Sequence, residues 1–214
     1  MPTLPDLAPR LTSEQRYVLE SLRTPALIQA YLDDTPYSPE SANRSPLRVM
    51  QDHLAHCLDG GLFAAMALRR LGFPPLIVDL LPEPGRDDDH VLAIFKINGC
   101  YGALAKSNYV GLRYREPVFR SLRELVMSYF EVFFNTEAEK TLRSYTRPIN
   151  LGTYDRMNWL WNDAAADVVE ARLKTLKTIP LLTSGQVARL DKVDPLSQRA
   201  GMLVANPAGL YKPH

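Results

Sequence analysis

Residues 55–68 read Ala55-His56-Cys57-Leu58-Asp59-Gly60-Gly61-Leu62-Phe63-Ala64-Ala65-Met66-Ala67-Leu68, and this stretch decides the fold. From Leu58 onward the side chains are apolar nearly all round, which is typical of a buried central helix rather than a surface helix. The helix is predicted to end just before Gly72, which suits a left-handed C-terminal cap. Arg69 and Arg70 lie in its last turn, where basic residues are favourable, and Pro74-Pro75 prevent its continuation. The sequence therefore predicts one buried helix around which the other elements pack.

The composition is that of an ordinary globular chain. Of 214 residues, 46% are hydrophobic and 23% are charged, and 25 basic against 24 acidic residues leave a net charge of +1. This balance gives no electrostatic footprint for nucleic acid or an anionic membrane. Two cysteines cannot form a disulfide framework, and we see no signal peptide and no apolar run of membrane-spanning length. We therefore expect a cytoplasmic protein that binds neither nucleic acid nor a membrane; its oligomeric state stays open.

Strand signals follow the central helix. Residues 76–81 form an aliphatic run, and residues 91–97 and 100–105 flank Asn98-Gly99, a dipeptide typical of a two-residue type I′ hairpin turn. With such a turn, residues that pair across the two strands have numbers that sum to 197, so that His90 faces Ser107. Helices, then a compact antiparallel sheet, then more helices predict the α+β class, with a buried central helix packed on a small sheet.

Helix signals flank this region on both sides. Capping boxes at Thr12 and Ser121 predict helices that begin there, the second running as an amphipathic helix to Phe133. Pairs of a cap residue and a proline predict two more, at Thr24-Pro25 and Ser45-Pro46. Residues 163–176 predict another helix, and a short one is expected over 184–190. In the helix over residues 163–176, the side chains expected to point inward are Ala165, Val168, Val169, Leu173 and Leu176.

The domain organisation is expected to be simple, because no linker-like composition divides the chain. We expect a single domain spanning residues 1–214, with a core at about 45–135 and a helical C-terminal extension. The Pro-rich residues 1–11 are expected to be irregular. An irregular tail is expected after about residue 192, where periodicity is lost.

Cys57 and His90 are the candidate catalytic residues. A thiol becomes nucleophilic when it ionises, and a helix N-terminus or a neighbouring imidazolium lowers its pKa. Cys57 opens the central helix and His90 opens a strand, which makes them a candidate nucleophile and base. A third group is needed to hold the imidazole in the correct tautomer. The hairpin register offers Ser107 for this role, and Asn108 if a bulge or strand end turns it to the same face.

The segment from His56-Cys57-Leu58-Asp59-Gly60 through Leu68-Arg69-Arg70-Leu71-Gly72 to Asp89-His90-Val91 resembles the transglutaminase-like core of the papain-like cysteine enzyme superfamily. The resemblance covers about residues 45–110, and residues 112–118 with the following helix look like part of an uncharacterised bacterial branch. It implies a papain-like fold in which a cysteine begins the central helix and an Asp or Asn orients a histidine on a following strand. Cys57 and His90 match this pattern, but no carboxylate stands at 105, 107 or 108.

This resemblance implies acyl transfer or amide hydrolysis on a peptide or amide substrate, without a cofactor. Cys57 is expected to form a thioester, with His90 as general base and then general acid. Backbone N–H groups at the helix start are expected to supply an oxyanion hole. Gln51 stands six residues before Cys57, the spacing of the side chain that binds the oxyanion in papain-type enzymes. A glutamine on the exposed face of a helix explains its presence as well.

Two other interpretations stay open at the level of sequence. A catalytically degenerate domain would keep the fold and bind a peptide or protein partner, and the missing orienting acid favours it. A metal site is the second, although the spacing of its ligands matches no familiar zinc pattern. Its candidate ligands are His53, His56, Cys57, His90 and the acidic run 87–89, which is also typical of a solvated loop.

Overall fold

The fold is described for residues 7–214 in a computed structural model. Within this range, residues 8–10 of the predicted irregular N-terminus form one 3-10 turn, residues 7 and 11 are irregular, and residues 1–6 lie outside the described part. Four helices then lead to the sheet, and all of them were predicted: α1 (Ser13–Ser21), α2 (Pro25–Asp34), α3 (Pro46–Asp52) and α4 (Cys57–Arg70). Helix α4 is buried from Cys57 to Arg69, as its apolar sequence predicts.

Seven strands of the described chain form one antiparallel sheet, in the order β4-β3-β2-β1-β5-β7, with β6 also paired to β1. The strands are β1 (Leu76–Pro82), β2 (His90–Ile97), β3 (Cys100–Leu104), β4 (Arg115–Phe119), β5 (Leu142–Thr146), β6 (Ile149–Asn150) and β7 (Thr178–Pro180). The remaining α-helices are α5 (Leu122–Met127), α6 (Asp163–Lys174), α7 (Ser184–Val187) and α8 (Pro195–Gly201). The α+β class is confirmed.

Strand β2 separates two apolar clusters, because successive side chains of a strand point to opposite faces. Val91 and Phe95 belong to the cluster around α4. Leu92 and Ile94 belong to a second cluster on the other face, which includes Phe133. By the same alternation, the side chain of residue 90 lies on the second face, at the end of the strand where α4 begins.

The hairpin turn and its register are confirmed. Asn98 and Gly99 both have positive φ, 52° and 80°, as a type I′ turn requires, and the pairs run from Ile97–Cys100 to Ala93–Leu104. The ladder ends there because the side chain of Gln29 bonds both main-chain groups of Ala105, accepting from its nitrogen at 3.1 Å and donating to its oxygen at 2.9 Å. The expected pairing of residues 90 and 107 is therefore not formed.

Two glycines in the first turns of α4 let the helix approach the sheet closely. A Cβ placed on Gly60 would lie 2.2 Å from the Cβ of Lys106, and one on Gly61 would lie 2.8 Å from Cγ1 of Val91. Any side chain at either position would push the helix start outward. The two glycines thus bring the start of α4, with Cys57, close to the first residues of β2, on the Val91 face of the sheet.

Three expectations about the C-terminal half are wrong in detail. Helix α5 ends at Met127 rather than Phe133, because the hydroxyl of Ser128 donates to the carbonyl of Leu125 at 2.6 Å and closes the last turn. Val168 is 41% exposed rather than inward. The tail after residue 192 contains α8, whose first turn is capped by Asp194 with Pro195 at the first helical position.

Candidate active site

The start of α4 is fixed by a double cap. Nδ1 of His56 accepts from the N–H of Leu58 at 3.2 Å, and a carboxylate oxygen of Asp59 accepts from the N–H of His56 at 3.1 Å. The other Asp59 oxygen accepts from the N–H of Arg44 at 2.6 Å. Burial raises the pKa of Asp59 to about 7, although these hydrogen bonds and the Arg44 charge lower it. Asp59 therefore fixes the helix start, which positions Cys57.

The Cys57 thiol lies against the main chain just before His90. Sγ is 3.8 Å from the carbonyl oxygen of Asp89, and the side chain is buried. Burial, followed by the charges of Asp89 and Asp88, raises its pKa well above the usual value. The helix N-terminus leads one to expect a lowered pKa, but desolvation and two nearby carboxylates outweigh it here. In this conformation the thiol keeps its proton at neutral pH.

The His90 imidazole is held by a main-chain carbonyl. Its Nε2 lies 2.7 Å from the carbonyl oxygen of Leu112, and the ring meets Phe133 edge-on with centroids 6.4 Å apart. Because a carbonyl only accepts, we assign the proton of the neutral ring to Nε2, which leaves the lone pair on Nδ1. Burial lowers the pKa of His90 to about 4, and Arg115 contributes. Within residues 7–214, Nδ1 has no hydrogen-bond partner.

Neither candidate orienting residue bonds the imidazole. The Ser107 hydroxyl accepts from the N–H of Tyr109 at 2.9 Å, and the side-chain amide of Asn108 is bonded to Asn206. Both nevertheless line the same small cavity as His90, of about 40 Å³. The structure thus brings Ser107 and Asn108 close to His90, and gives the orienting contact to the carbonyl of Leu112.

Cys57 and His90 line two adjoining cavities. Cys57 lines the larger one, of about 430 Å³, together with His56 and residues of α6. No hydrogen bond joins Sγ to the imidazole in the described part of the chain. The wall common to both cavities consists of Tyr37, Asp88, Asp89, Gly209 and Tyr211.

Tyr37 is a site residue that sequence reasoning missed. Its neighbours pair with Ala55, two residues before Cys57: the N–H of Ser38 donates to the Ala55 carbonyl at 3.0 Å, and the N–H of Ala55 donates to Pro36 at 3.3 Å. Burial raises the pKa of Tyr37, and Cys57 and Asp88, in their ionised forms, add to the shift. No local pattern signals this contact, because it depends on a pairing formed only in the folded chain.

The remaining sequence candidates lie away from this site. Gln51 is exposed on α3 and lines neither cavity. His53 is half-exposed, with Nε2 3.9 Å from Asp34. Over residues 7–214, no three His, Cys, Asp or Glu side chains are grouped so that they could hold a metal ion. In the same range, every helix is too short or too polar to cross a membrane.

Comparison with known proteins gives no relative for this site. The chain matches no family model, and no curated protein matches it at a significant level.

Proposed function

We propose that the chain is a cysteine-dependent acyl-transfer enzyme with a transglutaminase-like, papain-like core, in which Cys57 forms a thioester with a peptide or amide substrate. One observation carries the proposal. The Cys57 thiol lies 3.8 Å from the carbonyl of Asp89, the residue that precedes His90 in the chain, and Nε2 of His90 lies 2.7 Å from the carbonyl oxygen of Leu112. That contact leaves Nδ1 as the basic nitrogen of an oriented imidazole.

The reaction proposed for this pair proceeds in two balanced halves. Sγ bonds to the substrate carbonyl carbon while Nδ1 of His90 takes the thiol proton, and collapse of the intermediate breaks the C–N bond as His90 returns that proton to the leaving amine. Water or a primary amine then attacks the thioester and gives its proton to His90, which passes it to the departing Sγ. The N–H of Cys57, in the first turn of α4, has no acceptor within the helix and is the donor proposed to bind the oxyanion.

The Leu112 carbonyl performs only part of an orienting acid's work. It can fix the tautomer and the ring orientation, but it carries no charge with which to stabilise an imidazolium. The lowered pKa of His90 and the raised pKa of Cys57 agree with this, since both shifts favour the neutral pair. We therefore expect proton transfer from the thiol during attack, rather than a preformed thiolate–imidazolium pair.

A binding domain without catalysis is the second candidate. The absence of a thiol–imidazole hydrogen bond within residues 7–214 and the raised pKa of Cys57 favour it. In that case the cavity of about 430 Å³ would bind a peptide or protein partner without reaction. The two candidates differ in one observable, a covalent acyl group on Cys57.

The test uses denatured casein as acyl donor and a fluorescent primary alkylamine as acceptor. Amine incorporation and ammonia release are measured for the wild type, Cys57→Ala and His90→Gln, and the intact mass of acid-quenched protein reports a thioester. We expect both activities to vanish in Cys57→Ala and to fall roughly 100-fold or more in His90→Gln. Cys100→Ala, which changes the other thiol, is the matched control and should be unaffected. Casein that binds without any acyl adduct would favour the binding domain.

A further inference from the structure

The C-terminal segment, defined here as residues 206–212, packs beside Asn108 and Tyr37 and lines the Cys57 cavity. At its start, the side-chain amide of Asn108 bonds both main-chain groups of Asn206: Oδ1 accepts from the N–H at 2.7 Å and Nδ2 donates to the carbonyl at 2.9 Å. The side chain of Asn206 donates to the carbonyl of Tyr37 at 3.2 Å. Asn108 is itself buried, so this contact is formed in the interior of the site.

The chain is fixed on both sides of the C-terminal segment. Before it, the N–H of Val110 donates to the carbonyl of Gly201 at 2.8 Å, and after it the N–H of His214 donates to the carbonyl of Gly85 at 3.1 Å. Between these points, residues 208–212 line the Cys57 cavity. The segment therefore forms part of the wall of the cavity that the thiol lines.

Gly209 packs flat against the site. A Cβ at this position would lie 2.9 Å from Cδ1 and 3.0 Å from Cε1 of Tyr37, and 3.4 Å from Nδ2 of Asn108. No side chain fits there without moving the segment or the tyrosine. Gly209 and Tyr211 also belong to the wall between the two cavities, so the segment separates Cys57 from the His90 cavity.

We propose that the Cys57 cavity is a polypeptide-binding cleft whose resting occupant is the chain's own C-terminal segment. Asn108 recognises one N–H and one C=O of the occupant's main chain, groups that every polypeptide offers, and Tyr37 accepts only glycine at the position of Gly209. The ligand class is therefore a polypeptide that can form a 3-10 turn like that of Pro207–Gly209, with a glycine three residues after the unit bonded by Asn108. Such a ligand competes with the C-terminal segment, which keeps the cleft closed until it is displaced.

Displacement of the segment costs little free energy compared with global unfolding. Its residues are half-buried or exposed, and its attachments to the site include the two part-buried Asn108 bonds and the Asn206–Tyr37 bond. Segments with few buried apolar contacts open locally at a small fraction of the cost of global unfolding. The assignment of substrate class rests on the proposed function, whereas occupation of the cleft by the segment does not.

The experiment compares Gly209→Val with Gly185→Val by the rate of Cys57 alkylation with iodoacetamide, followed by peptide mass spectrometry. Valine at 209 overlaps Tyr37 only in the closed state, so it destabilises that state and increases the population of the open state. Cys57 should then react about tenfold faster. A Cβ at Gly185 would meet no atom beyond its own helix backbone within 4 Å, and the valine variant should match the wild type. Cys100, in the β2–β3 hairpin, is the internal reference. Equal Cys57 rates in both variants would overturn the proposal.

A synthetic peptide of residues 205–214 then tests the cleft in trans. Added to Gly209→Val, it should bind and slow Cys57 alkylation back toward the wild-type rate, while the same peptide with valine at position 209 should not. Failure of the native peptide to protect Cys57 would contradict the polypeptide cleft. If Gly209→Val does not fold, Asn206→Ala opens the segment without added volume, because it removes the bond to Tyr37. None of these measurements requires turnover. They therefore still test whether the segment occupies the cleft if the acyl-transfer assay fails.

Discussion

Gly60→Ala measures how closely the start of α4 must approach the sheet. At a solvent-exposed helix position this change would stabilise the protein by about 1 kcal/mol, because alanine has the higher helix propensity. Here the new Cβ would lie 2.2 Å from the Cβ and 3.3 Å from the Cα of Lys106. Lys106 cannot swing away, because its ammonium donates to the carbonyls of Leu32 and Thr35. Overpacking of this kind costs about 3 kcal/mol at the upper end of its range, so we expect a net loss of about 2 kcal/mol.

Urea unfolding of the wild type and Gly60→Ala measures this loss directly. A change of about 2 kcal/mol corresponds to a melting temperature lowered by roughly 4–8 °C for a chain of this size. Gly185→Ala is the matched control, because nothing lies within 4 Å of a Cβ there, and it should leave the unfolding midpoint unchanged or slightly raised. A Gly60→Ala protein that is more stable than the wild type would show that α4 stands away from residue 106. The geometric basis for placing Cys57 at the strand end would then be lost.

Three further predictions concern the frame around the site. Arg69→Met should cost about 2–3 kcal/mol in urea unfolding, because it removes a two-bond pair with Asp155 at 2.6 and 2.8 Å; an unchanged midpoint would contradict the pairing. Asp79 is buried, and neither of its oxygens has a hydrogen-bond partner within residues 7–214; burial followed by the Asp89 charge raises its pKa. Above the unfolded carboxyl pKa of about 3.9 the folded state keeps a proton that the unfolded state has lost. Wild-type stability should therefore fall with rising pH until the folded pKa is passed, and Asp79→Asn should flatten that slope in a pH series of unfolding curves. Gly99→Ala should cost about 1 kcal/mol, because φ at Gly99 is 80°, and no loss of thermal stability would argue against the turn.

The features predicted correctly depend on interactions between residues that are close in the sequence. The capping box at Thr12 forms both of its bonds, and Asn98-Gly99 adopts the turn that its φ angles require. The same rule would have found α8, since Asp194-Pro195 repeats the cap-and-proline signal used for α2 and α3. It was missed because the surrounding sequence has little apolar periodicity.

The features that were missed depend on contacts between distant segments. Gln29 ends β3 through hydrogen bonds to a residue far along the chain, so an extrapolated ladder could not place Ser107 opposite His90. The group that orients His90 is the carbonyl of Leu112, and a main-chain carbonyl has no sequence signature. The raised pKa of Cys57 follows from burial beside Asp88 and Asp89, which a helix-start argument alone does not include.

The central claim is that His90 acts as the base for Cys57, and the pH profile of Cys57 alkylation tests it most directly. The comparison is Gly209→Val, with the cleft open, against Gly209→Val combined with His90→Gln. We predict that below about pH 8 the protein with His90 reacts at least roughly tenfold faster, and that the two profiles converge as the thiol ionises by itself. Profiles that coincide over the whole pH range would contradict the claim, and the domain would then be better described as one that binds its ligand without catalysis.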